Sequence, residues 1–282
     1  MAAVAEEFKP NRRRPFNGAA YTVRSLAVGY LGLLVVLPLL AVMVDASKHP
    51  LDKIFHSLRQ PDAIHALVLT VVAALIMAAV NLVTGTATAY TLVRYDFRGK
   101  SLLNSLIDLP FAIPTVVTGL MLVILYGPKS IIGAFLGAHG IEVMYARPGI
   151  ILALLFVTFP FVVRAVQPVL QEMDLETEEA AQTLGAGRWL IFRTVTLPTI
   201  APALATGVTL SFARALGEFG SIVIVAGNIP MKTQVASVYI FGQIESSQPE
   251  AATAMSLVLL LASLAFLVAV DLLQRRRVRL HE

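Results

Sequence analysis

The chain has no cysteine among its 282 residues. That excludes disulfides, iron–sulfur clusters, cysteine-ligated zinc and thiol catalysis together. Histidine is scarce: His49, His56, His65, His139 and His281 are the five. None falls in an HExxH or other metal-binding spacing, which argues against a metal enzyme. A GxxxxGK[ST] loop is missing, so the chain carries no P-loop ATPase site of its own. Neither a GxSxG elbow nor a pair of catalytic histidines is found. Charge is also in short supply. Asp, Glu, Lys and Arg make up 14% of the residues, against about 25% in an average soluble domain.

Apolar residues take the place of the missing charge, at 57% of the chain, and the mean hydropathy is +0.76. A soluble domain could not bury that much apolar surface without large exposed patches, so lipid is the expected solvent. Six apolar runs stand out, at residues 25–44, 64–93, 102–126, 149–170, 202–226 and 251–273. Each reaches the roughly 20 residues that span a bilayer as a helix. The expected fold class is therefore all-α, a polytopic membrane protein with about six transmembrane helices. No internal repeat or low-complexity linker divides the chain. The first run follows Arg12, Arg13 and Arg14 but has no clear small-x-small cleavage site, and it reads as a retained, peripheral helix.

Lysine and arginine counts set the orientation. With the N-terminus inside, segments 1–24, 94–101, 171–194 and 274–282 hold fourteen basic residues, and the outside segments hold six. The bias predicts cytoplasmic N- and C-termini, with Arg275, Arg276, Arg277 and Arg279 beside anionic lipid. The basic balance, net +4, thus reflects topology and not nucleic-acid binding. The expected organisation is a cytoplasmic segment 1–24, a transmembrane domain 25–273 and a cytoplasmic tail 274–282.

The inside segment 171–194 does not read as a loop. Asp174 can cap a helix, and Glu176, Glu178 and Glu179 fall near its start, where the helix dipole favours acids. Leu184-Gly185-Ala186-Gly187 ends that helix, since glycine accepts a left-handed cap. Arg188-Trp189-Leu190-Ile191-Phe192 begins a second, apolar element. Two short helices around a glycine turn make a knob fit for a groove on a soluble partner. An interfacial helix with Trp189 at the headgroups is the other reading.

Glu179-Ala180-Ala181, three residues, Gly185, nine residues and Val195-x-Leu197-Pro198 resemble the EAA signature of binding-protein-dependent ABC importers. Val195 in place of isoleucine is the only departure. The resemblance implies a type I ABC importer permease fold. It also implies that this loop rests on a partner ATPase, with Glu179 at the contact and Gly185 as the turn. Asp108-Leu109-Pro110-Phe111-Ala112-Ile113-Pro114-Thr115, the run FVVRAVQP at 161–168, and Ala213-Arg214-Ala215-Leu216-Gly217-Glu218-Phe219-Gly220-Ser221 are similar to stretches of T-type sulfate/thiosulfate permease subunits. The last stretch is shared with molybdate permeases, which keeps molybdate or tungstate open as the anion.

Implied partners are an ABC ATPase dimer that uses ATP and Mg, a second, W-type permease subunit, and a periplasmic or lipoprotein sulfate-binding protein. This chain itself is expected to hold no cofactor. The implied setting is a bacterial or plastid-type inner membrane. A secondary anion transporter is the rival from another class; it would be expected to show inverted repeats and would have no need of the EAA loop.

The residues also suggest a pathway. Pro110 and Pro114, with Thr115 beside them, sit inside the third run and are expected to kink or break it. A broken helix in lipid persists only where it faces protein or water. Arg214 and Glu218, four apart, share a helix face. One reading is a buried ion pair that locks helices. The other places Arg214 on the route of a divalent anion, with Glu218 preventing a trap. Gly227-Asn228-Ile229-Pro230 reads as an outer turn that could join Ser221 in a gate. Arg164 is expected to snorkel to the inner surface as a structural or partner-facing residue.

Overall fold

The computed structural model describes residues 18–278, and the described residues contain helices and turns but no strand. Arg12, Arg13, Arg14 and Arg279, from the basic segments at either end, lie outside the described residues. The chain divides into two units, Met1–Lys48 and His49–Glu282.

The first unit is an apolar rod. Helix α1 (Gly18–Leu31) passes through a π-helical turn (Gly32–Val36) into α2 (Leu37–Lys48). Pro38 accounts for the turn. Its ring lacks an N–H and crowds the carbonyl four residues earlier, that of Leu34, and the wider turn relieves the crowding. The rod's most apolar stretch has a mean hydropathy of 2.5 and no buried residue. Leu26, Val28 and Leu33 are exposed along it. Such a surface is stable in hydrocarbon and not in water.

The second unit starts with α3 (Leu51–Leu58) and the 34-residue α4 (Pro61–Arg94). A turn with Gly99 at φ +90° leads to α5 (Lys100–Ala112). In that turn Lys100 donates to Asp96 at 2.8 Å, and the bond holds the Asp96 carboxyl below its usual range. Next come α6 (Thr115–Tyr126), α7 (Ile131–Ala138) and α8 (Arg147–Glu172). Then follow α9 (Leu175–Thr183), α10 (Arg188–Ile191), a second π-helical turn (Phe192–Thr196) and α11 (Leu197–Leu216). The chain closes with α12 (Gly220–Ala226), α13 (Ala236–Glu245) and α14 (Pro249–Val278).

Helix α8 is central, packed against both α4 and α11. Val162, fully buried, lies where the three meet. A Cβ on Gly85 would stand 2.8 Å from Val162 Cβ, and one on Gly207 would stand 2.9 Å from Val162 Cα. Both glycines therefore allow an approach that any larger residue would block. Lipid tails are as apolar as leucine, so close packing and not hydrophobic burial holds such helices together. Apolar layers lie on either side of this crossing. Met77, Leu154 and Leu216 fill one, and Leu92, Val166 and Ile200 fill the other. Across the same interface Asn81 donates to Thr158 at 2.9 Å, and Thr158 donates to the Leu154 carbonyl at 2.7 Å. An interhelical bond of this kind in a membrane averages about 0.6 kcal/mol.

Among the described residues five helices are long and apolar enough to cross a membrane, or six if α5 and α6 count as one bent span. That matches the six expected runs, with two corrections, at Pro110 and in the fifth run. The third run is broken as expected, with a bend of 115° between α5 and α6. Ile113, extended at φ −85° and ψ 127°, takes the conformation that a following proline imposes, and Pro114 opens α6. Pro110 is absorbed inside α5 and breaks nothing. The fifth run starts earlier than expected, because the helical rod reaches from Arg188 to Leu216, and it stops at Gly217 short of α12. Helix α14 continues to Val278.

Candidate functional site

Two helix breaks meet in the second unit. The α5–α6 break presents Pro114 and Thr115, and the α11–α12 break presents Gly217, Glu218 and Phe219. Helices α6 and α12 pack closely. A Cβ on Gly220 would overlap Thr115 Oγ1, and one on Gly119 would lie 2.8 Å from the Ser221 carbonyl oxygen. Glycine at both positions lets the breaks touch. The structure thus brings Pro114, Thr115, Arg214, Glu218 and Ser221 into one neighbourhood.

At this junction Glu218 is buried, with 1% of its side chain exposed. Three donors satisfy its carboxylate. The Ser221 N–H and O–H donate to Oε1 at 2.9 and 2.8 Å, and Arg214 Nη1 lies 2.8 Å from Oε2. Ser237 donates to the Glu218 carbonyl oxygen at 2.6 Å, fastening the break to α13. Arg214 keeps 36% of its side chain exposed. A guanidinium has five N–H donors, and Arg214 uses one on Glu218. Ser221 holds Oε1 independently of Arg214, while Oε2 relies on the arginine.

The other arginine within a span behaves differently. Arg164 Nε and Nη2 donate to the two oxygens of Asp108, each at 2.7 Å. Nη1 donates to Asn104 Oδ1 and Gln167 Oε1, and Nη2 also reaches the Asn104 carbonyl. This arginine does not snorkel as expected. Its hydrogens are engaged by α5 and by Gln167 of its own helix, which leaves it unsuited to catch a passing anion.

Pro110 lies elsewhere. It lines a cavity of about 1160 Å³ bounded by α4, α5, α6, α7 and α8, whose lining is almost wholly apolar, with Leu103, Leu106, Met121 and Phe159 on its walls. The 227–230 turn forms as expected. Gly227 is left-handed at φ +70°, Thr233 donates to the Ala226 carbonyl at 2.7 Å, and Tyr145 covers Gly227 while its N–H donates to the Val225 carbonyl at 2.9 Å.

The helical knob is well defined. Asp174 accepts the Glu176 N–H at 3.0 Å and starts α9. Gly185, at φ +87°, ends it. The Ala186 N–H donates to the Ala181 carbonyl and the Gly185 N–H to the Gln182 carbonyl, the paired bonds of a Schellman cap. Ala180 and Ala181 thus belong to the last turns of α9. Pro198 sits in the first turn of α11. Its ring crowds the carbonyl of Thr194, and the second π-helical turn absorbs that crowding as the first does for Pro38. Leu197 packs against the Val166 and Ile200 layer. Glu179 is exposed and pairs with nothing among the described residues, and Leu184 and Trp189 are 88% and 73% exposed. An exposed apolar tip beside a carboxylate has the chemistry of an interaction surface.

Residues 81–279 match the family model described as "Binding-protein-dependent transport system inner membrane component". The chain belongs to this family. It is a polytopic inner-membrane transport component and not an enzyme. It is 43% identical over 250 residues to the "Probable sulfate transport system permease protein cysT" of Nephroselmis olivacea, which covers 89% of this chain and 88% of that protein. It is 44% identical to the "Sulfate transport system permease protein CysT" of Salmonella typhimurium, over 88% of this chain and 89% of the relative. Its fold is that of a bacterial ABC transporter involved in the import of the acidic polysaccharide alginate. The TM-score is 0.76 at 18% identity, and the match covers 92% of this chain and 96% of that one.

In this transport component the sequence named the α5–α6 break, the charge pair and the knob, but not the α11–α12 break. It missed the residues that fasten the knob. Arg94 Nη2 pairs with Glu178 Oε1 at 2.9 Å, and the Thr196 hydroxyl donates to the same oxygen at 2.8 Å. Arg94 and Glu178 are mostly buried and Thr196 fully so. Glu178 looked like one helix-start acid among several. The available signal was a basic residue at the end of the second apolar run, though nothing in the pattern says which acid it meets.

Proposed function

We propose that the chain forms half of the membrane pore of an ATP-driven sulfate importer, with thiosulfate sharing the route. The observation that carries the reading is 43% identity over 89% of the chain with a protein named for sulfate transport. Arg214 supports it physically, since a half-exposed guanidinium with spare donors suits a tetrahedral dianion. Glu218 lies close enough to reclaim the arginine, so the anion is bound weakly and released.

The lysine and arginine bias supports cytoplasmic termini. The α9–α10 knob then faces the cytoplasm, where an ATPase dimer uses ATP and Mg. Glu179 and Trp189 meet that dimer, and Gly185 shapes the contact. The 227–230 turn and Ser221 face the other side, as an outer gate toward a periplasmic or lipoprotein sulfate-binding protein. A W-type subunit supplies the second half of the pore, and lipid surrounds the apolar helices.

The test is uptake of radiolabelled sulfate by cells lacking this chain, with and without its return. Restored uptake that unlabelled sulfate and thiosulfate suppress, and molybdate suppresses far less, is expected. Restored molybdate uptake with no sulfate uptake would overturn the anion assignment.

A further inference from the structure

The knob touches the rest of the protein sparingly. Helix α9 has no buried residue, and it packs chiefly against α10 and the second π-helical turn. One α9 side chain reaches further. Glu178, at 14% exposure, places Oε1 between Arg94 and Thr196, the last residues of α4 and of the π-helical turn that feeds α11. Arg94 also donates from Nη1 to the Leu170 carbonyl at 3.2 Å. That carbonyl lies in the last turn of α8 and has no partner within its own helix. A single carboxylate and its arginine therefore tie α9 to the ends of α4, α8 and α11.

These three helices pack against one another through Val162, Gly85 and Gly207. A displacement of α9 therefore has a polar route into all three. The apolar contacts of α10 pass through the π-helical turn, where Trp189 stacks on Phe192 at 5.7 Å and Phe192 meets Tyr90 of α4 edge-on at 5.8 Å, and they do not include the Leu170 end of α8 that Arg94 holds.

We infer that Arg94, Glu178 and Thr196 form the joint through which movement of the α9–α10 knob is passed to the spanning helices. These are positioning residues. They sit behind the exposed surface formed by Glu179, Leu184 and Trp189 and do not contribute to it. The inference rests on the proposal that the knob docks on the ATPase, and it adds that docking and transmission reside in different side chains. Losing the joint leaves an ATPase that binds and turns over while the helices no longer follow.

The experiment uses the complete complex in proteoliposomes, with sulfate transported and ATP hydrolysed measured in the same sample. Glu178→Gln keeps the side chain's shape and removes its charge. The ATPase is expected to co-purify as in the parent, while sulfate moved per ATP falls on the order of tenfold, within the usual range of coupling between sites. Thr196→Val, which leaves the ion pair in place, is expected to give a smaller fall. It carries the test if Glu178→Gln does not assemble. An unchanged ratio of sulfate to ATP in assembled complexes of both variants overturns the joint. So does loss of ATPase binding in assembled Glu178→Gln membrane subunits, because that places Glu178 in docking. Trp189→Ser probes the docking reading separately. If it retains the ATPase fully, the docking surface is wrong. If it loses the ATPase while the joint variants keep a normal ratio, only the joint is wrong.

Discussion

Arg164 grips Asp108 with two parallel hydrogen bonds of 2.7 Å, from Nε and from Nη2. The pair fastens α5 to α8. Helix α5 needs that fastening, because Ile107 is its one buried residue. Phe111, edge-on to Phe161 at 5.2 Å, adds the main aromatic contact.

Asp108→Asn should therefore loosen α5. Each hydrogen bond to a charged group is worth about 1.5–3 kcal/mol, and half-exposure of Asp108 discounts that figure to about 1–2 kcal/mol. A lower midpoint of thermal unfolding in detergent is the measurement. An unchanged midpoint would mean that apolar contacts alone hold the helix.

Arg214→Ala should abolish sulfate uptake while the complex still assembles, because Ser221 continues to satisfy one oxygen of Glu218. Arg214→Lys keeps the charge but loses the planar fork, so partial uptake is expected. Normal uptake by assembled Arg214→Ala complexes would leave the arginine a purely structural role.

Gly207→Ala should be costly for a helical glycine. The new Cβ meets Val162 backbone, which cannot swing aside as a side chain can. Overpacking of this kind costs about 1–3 kcal/mol. Gly137→Ala faces open space and serves as the control. The yield of monodisperse protein after detergent extraction distinguishes the two.

Gly185→Val should strain the knob, since a β-branched residue at φ +87° costs about 1–2 kcal/mol. Nothing crowds the added Cβ, so the effect is one of backbone conformation. Stimulated ATP hydrolysis and uptake should both drop. Unchanged coupling in a correctly assembled complex would remove the assignment of this loop.

The sequence disclosed the features that depend on local pattern. Apolar length marked the spans, Asp174 and Gly185 marked the ends of α9, and Pro114 marked a break. It did not disclose features that depend on which helices come together. Arg164 looked free to snorkel because Asp108 lies 56 positions away in the chain. Pro110 and Pro114 looked equivalent, yet one sits within α5 and the other starts α6. Glu178 was hidden among other acids because its partners, Arg94 and Thr196, come from two other elements.

The widened turn before Pro198 has a consequence for the whole rod from Arg188 to Leu216. Such a turn holds one residue more than the α-helix around it. Each residue advances an α-helix by about 100°. The inserted residue therefore sets the angle at which Trp189 points relative to Thr196 and Ile200. Deleting a single residue between 192 and 196 would keep the rod continuous and turn the knob about a quarter of the way around it. The angular setting of the knob is thus written in residue count, and a one-residue deletion there is the sharpest way to misalign it with a partner while leaving both surfaces intact.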